Sequence, residues 1–263
     1  RVLFYLGTGR GAAIERARTV YDEAGTDKAF ANLAAWWDQK LTAMQVCTPH
    51  ENMNRSLNIW NLYQSEINVL FSRFSSFIEV GGRTGLGYRD TAQDAMCIPH
   101  AEPDMCKTRI EQLLHGQVSM GYGLHLFDPA WFEPKPQQSF KSPTVVPTPD
   151  KASIIHGLKD TCADDALWLL PAIVEYVRET GDVAFFDKVI PYADEGEATV
   201  YAHMKQALDF SYSQAGQNGI TKGLRADWND CLNLGGGESA MVSFLHHWAL
   251  QNFVSLARRL DRE

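Results

Sequence analysis

Apolar residues recur at three-and-four spacing along most of this chain, and alternating runs are almost absent, which restricts it to a mainly helical fold. Helical composition runs from Ala12 to about Asp38, with Ile14, Ala17, Val20 and Tyr21 and then Phe30, Leu33, Ala34 and Trp37 on one side. It returns over Met53 to Phe74, Asp90 to Met96 and 107 to 119, and again over Ala163 to Thr180, Val183 to Ile190, Ala198 to Tyr212 and Ser239 to Leu260. Gly181 and Gly216 stand where helix C-caps are expected. Only Val2-Leu3-Phe4-Tyr5-Leu6 reads as a strand, and the six prolines between Leu124 and Pro149 make that stretch a loop. Helices joined by loops rich in Gly, Pro, Asp and Asn point to an all-α toroid or bundle rather than a doubly wound sheet.

The 263 residues suffice for one large domain or two small ones, with 45% hydrophobic and 21% charged residues. A formal net charge of -8, from 24 Lys+Arg against 32 Asp+Glu, argues against nucleic acid and anionic membranes as partners. No apolar run approaches the roughly 20 residues of a membrane helix. The five cysteines are dispersed and form no CxxC pair, so neither a disulfide scaffold nor a zinc site is expected, and a reducing cytoplasm fits. The eight histidines form no metal signature. The chain starts without Met and stops inside a helical pattern, as a piece of a longer protein would.

Four segments depart from ordinary helix composition. Gly7-Thr8-Gly9-Arg10-Gly11-Ala12 matches GxGxxA, but no second strand with an acidic end follows it, so a strand-to-helix junction is the better reading. Arg73, with Gly81-Gly82-Arg83-Thr84-Gly85-Leu86-Gly87-Tyr88-Arg89-Asp90, combines close-approach glycines with three guanidinium forks. That composition suits a sugar or small anion. Asp164-Asp165 opens a helix, where capping explains a carboxylate. In Ala226-Asp227-Trp228-Asn229-Asp230-Cys231-Leu232-Asn233, two carboxylates flank an indole that could platform a sugar ring. A carboxyl partly desolvated beside that indole would be a proton donor near neutrality. Calcium is disfavoured there, since Trp228 interrupts the ligand spacing.

Together, Gly81–Asp94 and Ala226–Asn233, with Asp164-Asp165-Ala166-Leu167-Trp168-Leu169 between them, resemble the glycoside phosphorylases of glycoside hydrolase family 94. Tyr192–Tyr201 and Met241–Leu245 are most similar to members acting on N,N'-diacetylchitobiose. The resemblance implies part of an (α/α)6 barrel preceded by linker helices and the last strand of a β-sandwich. Its boundaries would be 1–11 for the sandwich end, 12–50 for the helical linker and 51–263 for the N-terminal portion of the barrel.

It also implies inverting phosphorolysis of a β-linked disaccharide to an α-sugar 1-phosphate and a free sugar, with inorganic phosphate as co-substrate and no cofactor or metal. Asp230 would be the general acid, Asp227 its local competitor, and Trp228 a wall of the site. Arg89 and Asp90 would hold donor-sugar hydroxyls, completed by Arg73 and by Arg83 nearest the phosphate, with Cys231 lining the pocket. Further phosphate and acceptor contacts in the family come from later segments, so this stretch alone is expected to turn over little substrate without a complementing C-terminal fragment. Relatives of this kind are commonly homodimers. Cellobiose or cellobionic acid is the alternative substrate. An inverting glycosidase is the alternative reaction, and a non-catalytic sugar-binding module the alternative of another class.

Overall fold

The computed structural model describes residues 3–4, 11–71, 85–132 and 157–262. Most of the opening apolar run, residues 7–10, Arg73, Arg83 and most of the proline-rich stretch lie outside them. The chain divides into two compact units, residues 1–61 and 62–263.

In the first unit, α1 (Ala12–Val20) and α2 (Glu23–Leu41) replace the single helical stretch that the composition predicts. The break has a local cause: Asp22 leaves helical geometry and its carboxylate accepts the Gly25 N–H at 2.7 Å, capping α2. Two asparagines tie the following loop to the next helical stretch. Asn54, in α3 (Glu51–Arg55), accepts the Thr48 N–H at 2.8 Å and donates to the Thr48 carbonyl at 2.9 Å. Asn58, in a π-helical turn (Ser56–Asn61), holds both backbone groups of Val46 in the same way.

The second unit contains α4 (Leu62–Phe71), α5 (Tyr88–Ala95), α6 (Pro103–His115), α7 (Asp165–Thr180), α8 (Val200–Ser213) and α9 (Ala240–Arg259). Helix α7 is the hub, packing against α5, α6, α8 and α9. Accordingly it is buried on nearly every face, through Leu167, Leu169, Leu170, Ile173 and Val174 among others. A helix apolar all round is stable only inside a core, and each such buried side chain contributes about 1.5–3 kcal/mol relative to exposure. Gly181 ends α7 at φ 71°, the left-handed C-cap expected there.

Three two-stranded antiparallel ribbons punctuate the helices of the described residues: β1 (Leu86–Gly87) with β2 (Leu126–Phe127), β3 (Val189–Pro191) with β4 (Glu197–Thr199), and β5 (Lys222–Leu224) with β6 (Gly235–Glu238). They correct two expectations. The stretch from Val183 to Ile190 is not one helix: a 3-10 turn stops at Asp187, and the β-branched Val189 and Ile190 pair with Thr199 and Ala198. Gly216 is not a C-cap either, because α8 ends at Ser213 and its C-cap is Gln214. It sits in the next turn, where an added Cβ would fall 2.1 Å from the Glu238 carboxylate, so close approach explains the glycine.

Candidate active site

Backbone pairing brings three distant segments together. The β1–β2 ribbon, extended by a Tyr88 N–H bond to the His125 carbonyl at 3.1 Å, sets His125 beside the first turn of α5 and hence beside Arg89. Cys162 bridges Leu224 and Ala226, while Ala163 N–H donates to the Ala226 carbonyl and Arg225 N–H to the Thr161 carbonyl, at 2.9 and 3.1 Å. These bonds lay the N-terminus of α7 against the Ala226–Asp230 loop. Leu224 takes φ 53° at this junction, a left-handed conformation that a branched side chain resists. Such strain persists only where the surroundings impose it, as they do here.

Arg89 ties the three segments into one cluster. It is 4% exposed, and its Nε donates to Asp165 Oδ1 at 3.2 Å. Its Nη1 donates to Asp230 Oδ1 at 2.8 Å and to the Trp228 carbonyl at 2.6 Å. Its Nη2 donates to Asp164 Oδ1 at 2.8 Å and to the Asp227 carbonyl at 3.0 Å. A guanidinium has five N–H donors, and here all five meet protein acceptors. Burial alone would lower the Arg89 pKa, but Asp165, Asp164, Cys162 and Asp230 outweigh it and the pKa is raised.

Asp164 and Asp165 are completely buried; Asp165 stands in the first turn of α7, and for Asp164 the structure corrects the capping explanation. Asp164 occupies the N-cap position of α7 without a side-chain capping bond. Its second oxygen instead accepts the Trp168 indole N–H at 2.9 Å. Burial, and then the neighbouring Asp165 charge, raise the Asp164 pKa against the opposing pull of Arg89. Asp165 also receives His125 Nδ1, at 3.1 Å from its Oδ2. That contact, followed by one with Cys162, pushes His125 up to about 10, so its imidazole is cationic at neutral pH.

Of the four carboxylates gathered here, Asp230 is the open one, with its side chain 56% exposed and Trp228 beside it 54% exposed. The desolvation expected from the indole is therefore slight. Asp227 is committed elsewhere: one carboxylate oxygen accepts the Asn229 N–H at 2.9 Å and the other the Ser239 hydroxyl at 2.8 Å. This shapes the loop and leaves Asp230 to face Arg89. Cys231 is exposed, and its N–H donates to Asn229 Oδ1. Asp90, half-buried on the first turn of α5, lies against Gly87, where an added Cβ would come within 3.0 Å of its Oδ2.

Sequence patterns missed His125. It belongs to no motif, and only the ribbon register reveals its position. His125, Cys162 and Asp165 place three ligand-type atoms within 4.8 Å of one another, a spacing that could hold a metal ion. Both oxygens of Asp165 are, however, already taken, Oδ1 by Arg89 and Oδ2 by His125. The trio is better described as an ion-pair cluster.

A profile of the glycosyl hydrolase 94 superfamily catalytic domain matches residues 36–263, and the chain belongs to that family. It is 60% identical over its whole length to N,N'-diacetylchitobiose phosphorylase of Vibrio proteolyticus, covering 33% of that protein. To the enzyme of the same name from Vibrio furnissii it is 59% identical over 98% of its length, covering 32%. Solabiose phosphorylase of Paenibacillus borealis is 29% identical over 97% of the chain, which covers 29% of that protein. The chain thus spans about a third of the length of the curated relatives it matches.

Proposed function

We propose that this chain is part of the catalytic domain of an inverting glycoside phosphorylase that cleaves N,N'-diacetylchitobiose with inorganic phosphate. The two Vibrio relatives support the substrate class. The half-exposed Asp230 carboxylate, held at 2.8 Å by a buried arginine, carries the reading of the chemistry. In this reading residues 1–11 end a β-sandwich, 12–50 form a helical linker and 51–263 begin an (α/α)6 barrel. Five free thiols fit a reducing cytoplasm.

An inverting hydrolase needs an acid and a second carboxylate that activates water. Phosphate is itself an anionic nucleophile, so one protein carboxyl suffices. One phosphate oxygen forms a bond to the anomeric carbon from the face opposite the leaving group. The bond from that carbon to the glycosidic oxygen breaks, its electron pair stays on the oxygen, and the Asp230 proton joins it to release free sugar. Trp228 walls the donor subsite, Asp90 holds donor hydroxyls and Cys231 lines the pocket. Arg73 and Arg83 supply the remaining positive charge, with Arg83 nearest the phosphate. Arg89 enters as the group that orients Asp230, since a bond from it to a sugar hydroxyl would replace one of its five protein acceptors. Asp164, Asp165 and Asp227 are all engaged by protein donors, which favours phosphorolysis over hydrolysis at this cluster.

Phosphate consumption with chitobiose, cellobiose and cellobionate, measured on the longest natural form of the protein, tests the reading. Cleavage of chitobiose should require phosphate, and Asp230→Asn should lower the rate about 10²–10⁴-fold, the usual share of general acid catalysis. Equal cleavage in phosphate-free buffer would replace the proposal with a hydrolase. An unaffected Asp230→Asn variant would leave only a sugar-binding module.

A further inference from the structure

The Asp230 carboxylate has two oxygens, and Arg89 occupies only one of them. The other, Oδ2, faces His125 Nε2 at 3.9 Å, while Nδ1 of the same ring is tied to Asp165 Oδ2 at 3.1 Å. Asp165 is completely buried and is held in turn by Arg89 Nε at 3.2 Å. The ring is therefore fixed on its inner side by a rigid core carboxylate and presents its outer nitrogen to the open carboxylate. It is 30% exposed, enough to face a reacting group without being surrounded by water.

We propose that His125, anchored by Asp165, is a positioning residue for Asp230, fixing with Arg89 the orientation and charge state in which that carboxyl exchanges its proton with the glycosidic oxygen. This rests on Asp230 as the general acid. With Arg89 donating to Oδ1, Oδ2 is the oxygen left to carry the transferable proton, and His125 is the cation that faces it. A positive charge there favours the carboxylate, the form that must accept a proton when the disaccharide is made from sugar phosphate and free sugar. It opposes the protonated form that phosphorolysis requires, so one side chain tunes both directions through one carboxyl.

Among the described residues, the charged and titratable groups around this pair come from every neighbouring segment. Arg89 faces Asp230 from α5, and Tyr88 on the same turn buries a phenol that feels the Asp165 charge. Asp165 faces His125 from α7, with Cys162 just before it. Asp164 is taken up by Arg89 and Trp168, and Asp227 by Ser239. The protonated state of His125 follows chiefly from Asp165.

The test is the pH profile of His125→Gln in both directions, on the longest natural form of the protein. Removing a cation about 4 Å from a half-exposed carboxylate should move the alkaline limb of phosphorolysis and the acid limb of synthesis to higher pH together, by about one unit. At a fixed neutral pH kcat should change on the order of tenfold, with KM for disaccharide and phosphate within about twofold. His125→Lys, which restores the charge, should move the limbs back. Unmoved limbs in a folded His125→Gln variant overturn the inference while Asp230 keeps its assignment. Full activity in Asp230→Asn removes that assignment instead, and with it the basis of the inference. If His125→Gln does not fold, histidine NMR of the wild-type protein decides: the ring should stay protonated well above neutrality, and a ring neutral at pH 7 overturns the inference.

Discussion

The two ends of α7 carry the same chemistry in opposite surroundings. At its N-terminal end Asp164 and Asp165 meet Arg89, with all three side chains 4% exposed or less. Just past its C-terminal end Asp182 meets Lys107 at 2.7 Å, and also accepts the Tyr176 hydroxyl at 2.8 Å, with the two ion-pair side chains 27% and 32% exposed. Lys107, followed by Tyr176, lowers the Asp182 pKa as an ordinary surface pair does. A surface pair of this kind is worth about 0–1 kcal/mol. The buried cluster is costly to desolvate and gains little over apolar packing, so stability alone does not account for it. It makes sense as a rigid mount for the most exposed carboxylate of the group, Asp230.

Breaking the buried end should give the largest effect on stability. Arg89→Ala leaves the buried Asp164 without its cation and Asp165 with His125 alone, and should cost about 3–5 kcal/mol, read as a lower urea midpoint. A loss under about 1 kcal/mol would show that the core end behaves like the surface end. His125→Gln should cost less, about 1.5–3 kcal/mol below neutral pH, the range of a hydrogen bond to a charged group. Because folding raises His125 to about 10, its contribution is complete below the unfolded value near 6.5 and fades as pH rises through about 10. The gap between wild type and variant in urea melts should therefore be widest near pH 6 and close toward pH 10; a constant gap would remove His125 from the charged cluster. Asp182→Asn at the surface end should change stability by less than about 1 kcal/mol and leave any sugar chemistry untouched. A larger effect would make the C-terminal end of α7 more than a surface strap.

Much of this was legible in advance, for reasons that differ by region. The helices from Asp165 to Thr180 and from Ala240 to Arg259 follow from apolar spacing, which survives any arrangement of neighbours. Gly181 was readable as a cap because few other residues tolerate its φ. Val189 and Ile190 are ambiguous along the chain, since a short β-branched run suits a helix or a ribbon until its partner strand is known. A carboxylate before a helix, such as Asp164, is usually a cap, and nothing local reveals a guanidinium from 75 residues earlier.

What the sequence determined by itself was a mainly helical chain, the motif segments that place it in its family, and the residue types from which its polar cluster is made. The tertiary structure alone decided which of four nearby aspartates faces solvent, that every N–H of Arg89 is engaged within the protein, and that His125 stands opposite the free oxygen of Asp230. Periodicity and motif are written in neighbouring residues and can be read along the chain. Burial and hydrogen-bond partnership depend on segments 40 to 141 residues apart, and only packing brings those within reach of one another.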